Sequence, residues 1–480
     1  NLVMPSASCV ANLNPLLEGY KEAAMLNPIY DPLYVIDVNE TRYYLADSYE
    51  VSEDGMQITV KLKEGLKWHD GEAITADDMI FTMDVCSDTN NGAGGTNIVI
   101  LNDQPVKYEK VDDLTVKVTL PMASASYADL LGGLTLIPEH VFEGNPSVVS
   151  AGEANMKGIG SGPYKVTEFK QDEYLLLEKY EDYYMGAPSI DKVTFRIISD
   201  LSAQEVALMN GEVNFMELAN APAVAKYEAD PNFTVVKYPE GRVNYLAVNK
   251  FCETVQDPKV VEAVFAALNR DEIIAGAYGD GMAESANSIF SNVNTFYDPS
   301  VEGYTQDVEK AKQLVKETGL DSKTLTLYFN SERVYMKESA QIIQQQLKNV
   351  GINLEVIPLE SAGFFEKVFG TDGDYEFYLN GYGAVGDPDQ VVAGMYDGTW
   401  GVNLAVSDEV SQLWKDARTV YTPEERAAIY KQIQIQTRDE LTCYPIAYPN
   451  YVFVTTSNIK GADTIKRTPV FEDYTKLTME

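Results

Sequence analysis

A helix, a glycine and a strand follow one another in the second half of the chain, and this order constrains the fold more than any other feature. Gly351 separates an apolar helical stripe, made of Ile342, Ile343, Leu347 and Val350, from an alternating strand made of Ile352, Leu354 and Val356. A glycine there suits the left-handed residue that ends many helices. Further helices are predicted over residues 308–318, near 258–275 and over 423–441. Alternating helices and strands predict a largely parallel sheet that is covered on both faces.

The first half of the chain is richer in strand patterns. Ile58, Val60 and Leu62 alternate as one buried strand face, and residues 114–120 repeat the alternation. Thr75 begins a capping-box sequence ahead of an apolar run, which predicts the start of a helix.

Two strand-like stretches, residues 243–249 and 445–455, lie at the borders of the helix-rich region. If both cross between lobes, residues of about 250–445 form one lobe and the two chain ends form the other. This arrangement predicts a hinged pair of domains.

The charge and length of the chain exclude several classes of partner. The 480 residues include 73 acidic and 37 basic side chains, for a formal charge of −36, and this excess repels nucleic acid, so no nucleic-acid partner is predicted. No run of about eighteen apolar residues is present, so the sequence predicts no membrane-spanning helix.

Few side chains suit catalysis or metal binding. The two histidines, His69 and His140, occur without an HExxH motif or a nearby cysteine, and His69 is predicted to be structural. No metal or other cofactor is predicted. Acidic residues are abundant enough to leave an acid-dependent hydrolase open as an alternative. The cysteines have no CxxC spacing, and they form either two disulfides or free thiols: Cys9, Cys86, Cys252 and Cys443.

The stretch over residues 374–389 combines an apolar strand with a glycine-rich loop that ends in acids. The glycines at 381, 383 and 386 permit close backbone approach, and Tyr382 offers a flat ring. The chain has 31 tyrosines, and aromatic rings with a polar tip suit a cleft for a partly apolar, hydrogen-bonding ligand. The sequence predicts two lobes joined by a hinge and shows no recognisable set of catalytic residues. Together these features indicate a binding protein.

Several motifs along the chain strongly resemble the family 5 extracellular solute-binding proteins, the peptide- and nickel-type receptors of bacterial ABC importers. They occur in family order: LADSYEV from residue 45, LKEGLKWHDG from 62, TADD from 75, IPEH from 137, GSGPY from 160, YLAVN from 245, VFAALNRDEI from 264, EKA from 309 and IIQQQLKNVGI from 342. The resemblance covers nearly the whole chain.

The resemblance implies an α/β fold of the periplasmic-binding-protein type II kind, with two lobes, hinge strands and a small extra domain in the first lobe. Lobe I would contain residues 1–45, 163–242 and 455–480, the additional domain residues 46–162, and lobe II residues 243–454.

The resemblance also implies how such a receptor works. The lobes close over a peptide or small-molecule ligand and the closed form is presented to a membrane-bound ABC permease. A monomer is expected. The location would be extracytoplasmic, as a cell-surface lipoprotein or a periplasmic protein, which agrees with a sequence that starts at Asn1 without an initiator Met or a signal segment.

In peptide-binding members, the loop of residues 374–389 carries an aromatic residue and then an aspartate that pairs with the peptide amino group. Tyr382 takes the aromatic place, but Gly383, Ala384 and Val385 offer no acid, so a free amine would lose a charge partner worth several kcal/mol. Asp387 could substitute by a shift of the loop, or it could cap a turn before Pro388.

The remaining candidate ligand contacts come from other segments. Arg333, beside Tyr335, resembles an arginine that some dipeptide receptors use for the ligand carboxylate, although a solvated arginine at a helix start is the alternative. Asn27, Tyr30 and Trp400 are further candidates for lining the cleft.

The first hypothesis is therefore a non-enzymatic receptor for a peptide or peptide-sized solute. A receptor for an oligosaccharide or other uncharged solute is the alternative within binding, because the loop acid is absent and tyrosines are plentiful. A sensing or adhesion protein and the acid-dependent hydrolase represent other classes of function.

Overall fold

The structure is a computed structural model, and it describes residues 1–18, 25–36, 40–101, 103–383, 386–397, 404–464 and 473–480. The chain forms two compact units. The first contains residues 1–238 and 451–480, and the second contains residues 239–450. Within the described ranges, no helix combines the length and apolar character needed to cross a membrane.

The first unit is built mainly from strands. Its strands before the second unit are β1 (Leu2–Ser6), β2 (Tyr34–Ile36), β3 (Thr41–Tyr43), β4 (Ala46–Val51), β5 (Gln57–Leu62), β6 (Ile100–Leu101), β7 (Gln104–Pro105), β8 (Lys107–Asp112), β9 (Thr115–Thr119), β10 (Tyr164–Lys170), β11 (Tyr174–Lys179), β12 (Lys192–Ile197), β13 (Phe215–Glu217) and β14 (Phe233–Pro239). Its helices are α1 (Ala76–Ser87), α2 (Thr96–Val99), α3 (Tyr127–Gly132), α4 (Leu201–Met209) and α5 (Ala221–Glu228).

Two four-stranded sheets organise this unit, in the orders β1-β12-β11-β10 and β4-β5-β9-β8. The predicted strand face of Ile58, Val60 and Leu62 is confirmed in β5, where all three side chains are buried. The predicted helix start is also confirmed, because Thr75 caps α1 and the Asp78 carboxylate accepts the Thr75 N–H at 2.9 Å.

The second unit alternates helices with strands. Its strands are β15 (Arg242–Val248), β16 (Ala283–Ser285), β17 (Thr324–Asn330), β18 (Asn353–Leu359), β19 (Phe377–Gly383) and β20 (Cys443–Thr456), and its helices are α6 (Pro258–Ala267), α7 (Arg270–Ala277), α8 (Val308–Thr318), α9 (Val334–Asn349), α10 (Ser361–Val368), α11 (Pro388–Val391), α12 (Ala393–Tyr396), α13 (Asp408–Arg418) and α14 (Pro423–Asp439). The chain then returns to the first unit with β21 (Ile459–Lys460) and β22 (Thr478–Met479).

The main sheet of the second unit is mixed rather than largely parallel. β17 pairs in parallel with β18 and β19, but β15 pairs antiparallel with both β19 and β20. The prediction was wrong for these two strands, because β15 lies between β20 and β19 and runs antiparallel to both, a pairing that needs no helical crossover. Coverage on both faces is confirmed: Leu246 of β15 packs in one apolar core, and its neighbour Tyr245 packs in another.

The two units are joined in sequence by strands. The divide falls between residues 238 and 239, inside β14, and between residues 450 and 451, inside β20. The finer division of the first unit that the resemblance implies stays a prediction.

The four cysteines are free thiols, so the disulfide alternative does not hold in this structure. His69 accepts the Gly160 N–H on Nδ1 at 3.2 Å, and its Nε2 donates to the Gly162 carbonyl at 2.9 Å. Burial lowers the pKa of His69 to about 4, so the ring is neutral and fastens the GSGPY segment.

Candidate functional site

Tyr382 is the second-last residue of β19, just before the glycine-rich loop, and its side chain belongs to an apolar core. Tyr382 is 9% exposed, and its hydroxyl donates to the Ile289 carbonyl at 2.6 Å and lies 3.0 Å from the Tyr396 hydroxyl. Gly383, the last residue of the strand, is exposed, and a Cβ placed there would meet no atom of the described residues within 4 Å. The structure thus directs the Tyr382 ring inward, and the exposed backbone at Gly383 is the part of this pair that a ligand can reach.

Asp387 lies in a buried ion pair. Its two carboxylate oxygens accept hydrogen bonds from Arg426 at 2.6 and 3.0 Å, and Asp387 also caps α11 by accepting the Asp389 N–H at 3.1 Å. The side chains of Asp387 and Arg426 are 9% and 7% exposed. Of the two roles left open by the sequence, the capping role is the one this geometry supports, because the carboxylate is already bonded.

A second arginine joins the same loop to the helix that follows it. Arg418 at the end of α13 donates from Nε to Asp389 at 2.6 Å and from Nη2 to Asp397 at 2.5 Å. Both carboxylates are buried. We call Asp387, Asp389, Asp397, Arg418 and Arg426 the Arg–Asp cluster.

A separate group of hydrogen bonds joins the ends of β15 and β19. Arg242 donates from Nη2 to the Gly381 carbonyl at 2.5 Å and from Nε to Asn244 Oδ1 at 3.1 Å. Asn244 in turn donates to the Tyr278 hydroxyl at 2.8 Å, and the Tyr278 ring stacks on Tyr335 with centroids 5.3 Å apart.

This group, which we call the Arg242 network, continues to Arg333. Arg333 precedes α9, and its Nη1 donates to the Tyr335 hydroxyl at 3.4 Å. The structure therefore links the predicted residues Arg333 and Tyr335 to the base of the glycine-rich loop at Gly381. Among the described residues of the second unit, no carboxylate forms an ion pair with Arg333, although its charge acts on Glu240 and Glu332.

Glu240 is a buried acidic residue whose pKa is affected by the charges of Arg242 and Arg333. Burial raises the pKa of the Glu240 carboxyl, and the positive charges of Arg242 and Arg333 oppose that rise. The Glu240 backbone N–H donates to the Pro449 carbonyl at 2.9 Å, which fixes this residue to β20.

The two candidates from the first unit differ in exposure. Tyr30 is buried, and its hydroxyl donates to the Leu13 carbonyl at 2.8 Å, whereas Asn27 is exposed. The next residue after Tyr30 is the buried Asp31, which accepts hydrogen bonds from Tyr183 and Tyr184 at 2.9 and 2.8 Å. Ala384 and Trp400 lie outside the described residues.

Sequence reasoning missed Arg242, Asn244, Arg418 and Arg426. A signal for the last two was present, because residues 377–407 contain three acids and no base, and buried acids need cationic partners from elsewhere in the chain. Arg242 gave no comparable signal, since its partners come from residues 139 positions away and from its own strand. No group of three or more His, Cys, Asp or Glu side chains in the described part of the chain could hold a metal ion.

Comparisons with known proteins agree with this architecture. The sequence profile described as bacterial extracellular solute-binding proteins, family 5 Middle, matches residues 40–403. The dipeptide-binding protein of Escherichia coli is 27% identical over 96% of this chain and 91% of its own length.

Two solved structures are similar over the whole chain. The ABC transporter substrate-binding protein CtaP of Listeria monocytogenes has 33% identity and a TM-score of 0.92, and it covers 100% of this chain and 99% of its own. The oligopeptide-binding protein AppA of Bacillus subtilis, solved with a nonapeptide, has 26% identity and a TM-score of 0.77, over 100% of this chain and 98% of its own. The fold is therefore that of the periplasmic binding proteins, and the chain belongs to the family 5 bacterial extracellular solute-binding proteins.

Proposed function

We propose that this protein is the receptor of an ABC importer, that it binds a peptide or a solute of similar size by closing its two lobes, and that it delivers the ligand to a membrane permease. Relatives over nearly the full chain carry peptide-binding names, and one was solved with a nonapeptide. The protein works outside the cytoplasm as a monomer, held at the membrane surface as a lipoprotein or free in the periplasm, and it performs no catalysis.

The observation that carries the proposal is the guanidinium of Arg333. It lies beside Tyr335 at the start of α9 and is bonded only at 3.4 Å to a neutral hydroxyl among its described neighbours. A planar guanidinium binds a carboxylate through two parallel hydrogen bonds, so it suits the carboxyl end of a peptide. Gly383, which is exposed at the end of β19, is a further proposed contact, and Ala384, outside the described residues, remains a candidate from the sequence.

A thermal-shift screen against peptides, sugars and amines tests the proposal. A ligand at a hundred times its Kd stabilises the folded state by about 2.7 kcal/mol, so a peptide ligand should raise Tm by a few degrees. Arg333→Ala should remove the shift and Arg333→Lys should retain part of it, with Lys337→Ala in the same helix as the control. A screen in which no peptide shifts Tm contradicts the proposal.

A receptor for an uncharged solute such as an oligosaccharide is the second candidate, and the ion pair of Asp387 with Arg426 favours it, because that acid is not free for a ligand amine. The same screen separates the two. An oligosaccharide that raises Tm equally in wild type and in Arg333→Ala supports the second candidate.

A further inference from the structure

The loop from β19 to α13 carries three acids and no base, and all three acids are bonded to arginines. Residues 377–407 contain Asp387, Asp389 and Asp397 as their only ionisable groups besides tyrosine. Arg426 takes both oxygens of Asp387, and Arg418 bonds to the other two. Asp397 is 1% exposed at its side chain, and Asp389 is 7% exposed.

A ligand ammonium group would have to displace an arginine to reach these acids. Asp387 also accepts the Asp389 N–H and lies 3.4 Å from the Tyr430 hydroxyl, which bonds to Arg426 at 3.0 Å. Removing Asp387 from this arrangement would leave the buried Arg426 without its counter-ion, and an unpaired buried charge is strongly unfavourable. The Arg–Asp cluster therefore gives no acidic contact to a cationic ligand group.

Near the base of this loop, Arg242 and Arg333 are accompanied by two acids, Glu240 and Glu332. Arg333 has no carboxylate within ion-pairing distance among the described residues of its unit, and Arg242 bonds only to the neutral Gly381 carbonyl and Asn244. Burial raises the pKa of Glu240 against the charges of both arginines, and hydrogen bonds from Ser361 together with the charge of Arg333 lower the pKa of Glu332. The two guanidinium groups, which make no ion pair among the described residues, therefore offer a contact for an anionic group of the ligand.

We propose that the ligand is a peptide, or a peptide-like acid, whose carboxylate is free and whose amino end carries no charge, as in an N-acylated peptide. This inference rests on the proposed function and narrows its substrate class. It follows from the Arg–Asp cluster, which removes the loop acids from recognition, together with the guanidinium of Arg333, which has no ion pair within the part of the chain that the structure describes.

Matched peptides test the inference by isothermal titration. Tri- to pentapeptides of the same sequences are compared in three forms: free at both ends, N-acetylated with a free carboxylate, and N-acetylated with a C-terminal amide. The N-acetylated acids should bind at least tenfold more tightly than the peptides with free amines, and amidation should weaken binding at least tenfold. Free-amine peptides that bind as tightly as, or more tightly than, their acetylated partners overturn the inference while leaving the proposed function intact. Peptides that fail to bind in all three forms overturn both.

A variant adds a gain of function that a structural role alone would not produce. Arg426→Gln frees the Asp387 carboxylate, so the preference for acetylated peptides should shift at least fivefold toward free amines. In the double variant Asp387→Asn with Arg426→Gln, which has no charge in this pair, the wild-type preference should return. An unchanged ratio in a folded Arg426→Gln protein contradicts the role assigned to the Arg–Asp cluster, and the titration of wild type decides the inference if that variant does not fold.

Discussion

At the scale of one residue, Gly381 of β19 allows the side chains of Asn244 and Arg242 to approach the strand backbone closely. A Cβ at this position would lie 2.0 Å from Asn244 Oδ1 and 3.0 Å from Arg242 Nε. The absence of a side chain is thus what allows Arg242 to bond both to the Gly381 carbonyl and to Asn244. The sequence predicted this glycine in a loop, whereas the structure has it within β19, paired with Asn244 of β15.

Gly381→Ala should lower the free energy of unfolding by about 1–3 kcal/mol, because the new methyl group has to push the Arg242 network aside. Gly383→Ala is the matched control, since a Cβ there meets nothing within 4 Å, and it should unfold within about 0.5 kcal/mol of wild type. Urea unfolding followed by tryptophan fluorescence measures both. Equal stability of the two variants would show that the Arg242 network can rearrange around the new methyl group without loss of stability.

Asp31 is a buried carboxyl whose charge opposes folding. Its pKa is raised to about 7 from 3.8, first by burial and against the hydrogen bonds from Tyr184 and Tyr183. The charge of Asp473 adds to the rise, and the charge of Lys63 opposes it. Because the folded state holds this proton more tightly than the unfolded state, stability falls as pH rises from about 4 to about 7, and the loss persists at higher pH.

Asp31→Asn should therefore remove the loss of stability that ionisation of Asp31 causes across that pH range. The amide oxygen can still accept both tyrosine hydrogen bonds, so the variant should gain stability relative to wild type as pH rises, by at most about 4 kcal/mol above pH 7. Urea unfolding at pH 5 and pH 8 gives the difference between the two proteins, in which the other titrating groups cancel. A difference that is constant with pH would place the Asp31 pKa near its ordinary value.

At the scale of elements, the Arg–Asp cluster joins α11 to α14. Helix α11 has only four residues, too few to be stable alone, so its place depends on the bonds of Asp387 to Arg426. The longer helices, in contrast, can be predicted from the sequence alone. The sequence predicts α8 over residues 308–318, and the structure has the same bounds, with Asp307 and Gly319 as the caps.

Arg426→Leu should cost about 3–5 kcal/mol, because it leaves the Asp387 carboxylate buried without a counter-ion. The double variant Arg426→Leu with Asp387→Asn should recover most of that loss. Arg438→Leu, in the same helix, is the control and should cost less than about 1 kcal/mol, because the partly exposed Arg438 pairs with the exposed Asp439. Urea unfolding measures all three, and a double variant no more stable than Arg426→Leu would refute the account of an unpaired charge.

At the scale of the whole molecule, two units share the strands β14 and β20, in which the divide between them falls. Closure of such units around a ligand is part of the proposed function. Closure requires that the ligand binds the closed state more tightly than the open state, since equal affinity would leave the equilibrium unchanged.

Saturation with a peptide ligand found in the thermal-shift screen should therefore reduce the radius of gyration, measured by small-angle X-ray scattering. Arg333→Ala at the same peptide concentration should keep the larger, ligand-free value, because it no longer binds. A radius that stays constant while calorimetry shows full occupancy would contradict closure on binding.

Much of the molecule is readable from local patterns. The alternation in β5, the capping box of α1, the bounds of α8 and the order of α9, Gly351 and β18 depend on residues a few positions apart, and the structure confirms them. The family motifs likewise lie in short segments, so the fold and the family were accessible from sequence. The direction of β15 and β20 in the sheet was not, because strand pairing joins distant segments.

The candidate site was likewise predictable from the sequence only in part. The sequence by itself determined that the loop has a tyrosine, three glycines and acids after them, that Arg333 begins a helix, and that no aspartate directly follows Gly383. Only the tertiary structure decided that Tyr382 points into a core, that Asp387 is bonded to Arg426 and that Arg242 holds Gly381. The physical reason is that a charge or a hydroxyl acquires its role from the partner that compensates its burial, and those partners lie 39 to 139 residues away along the chain.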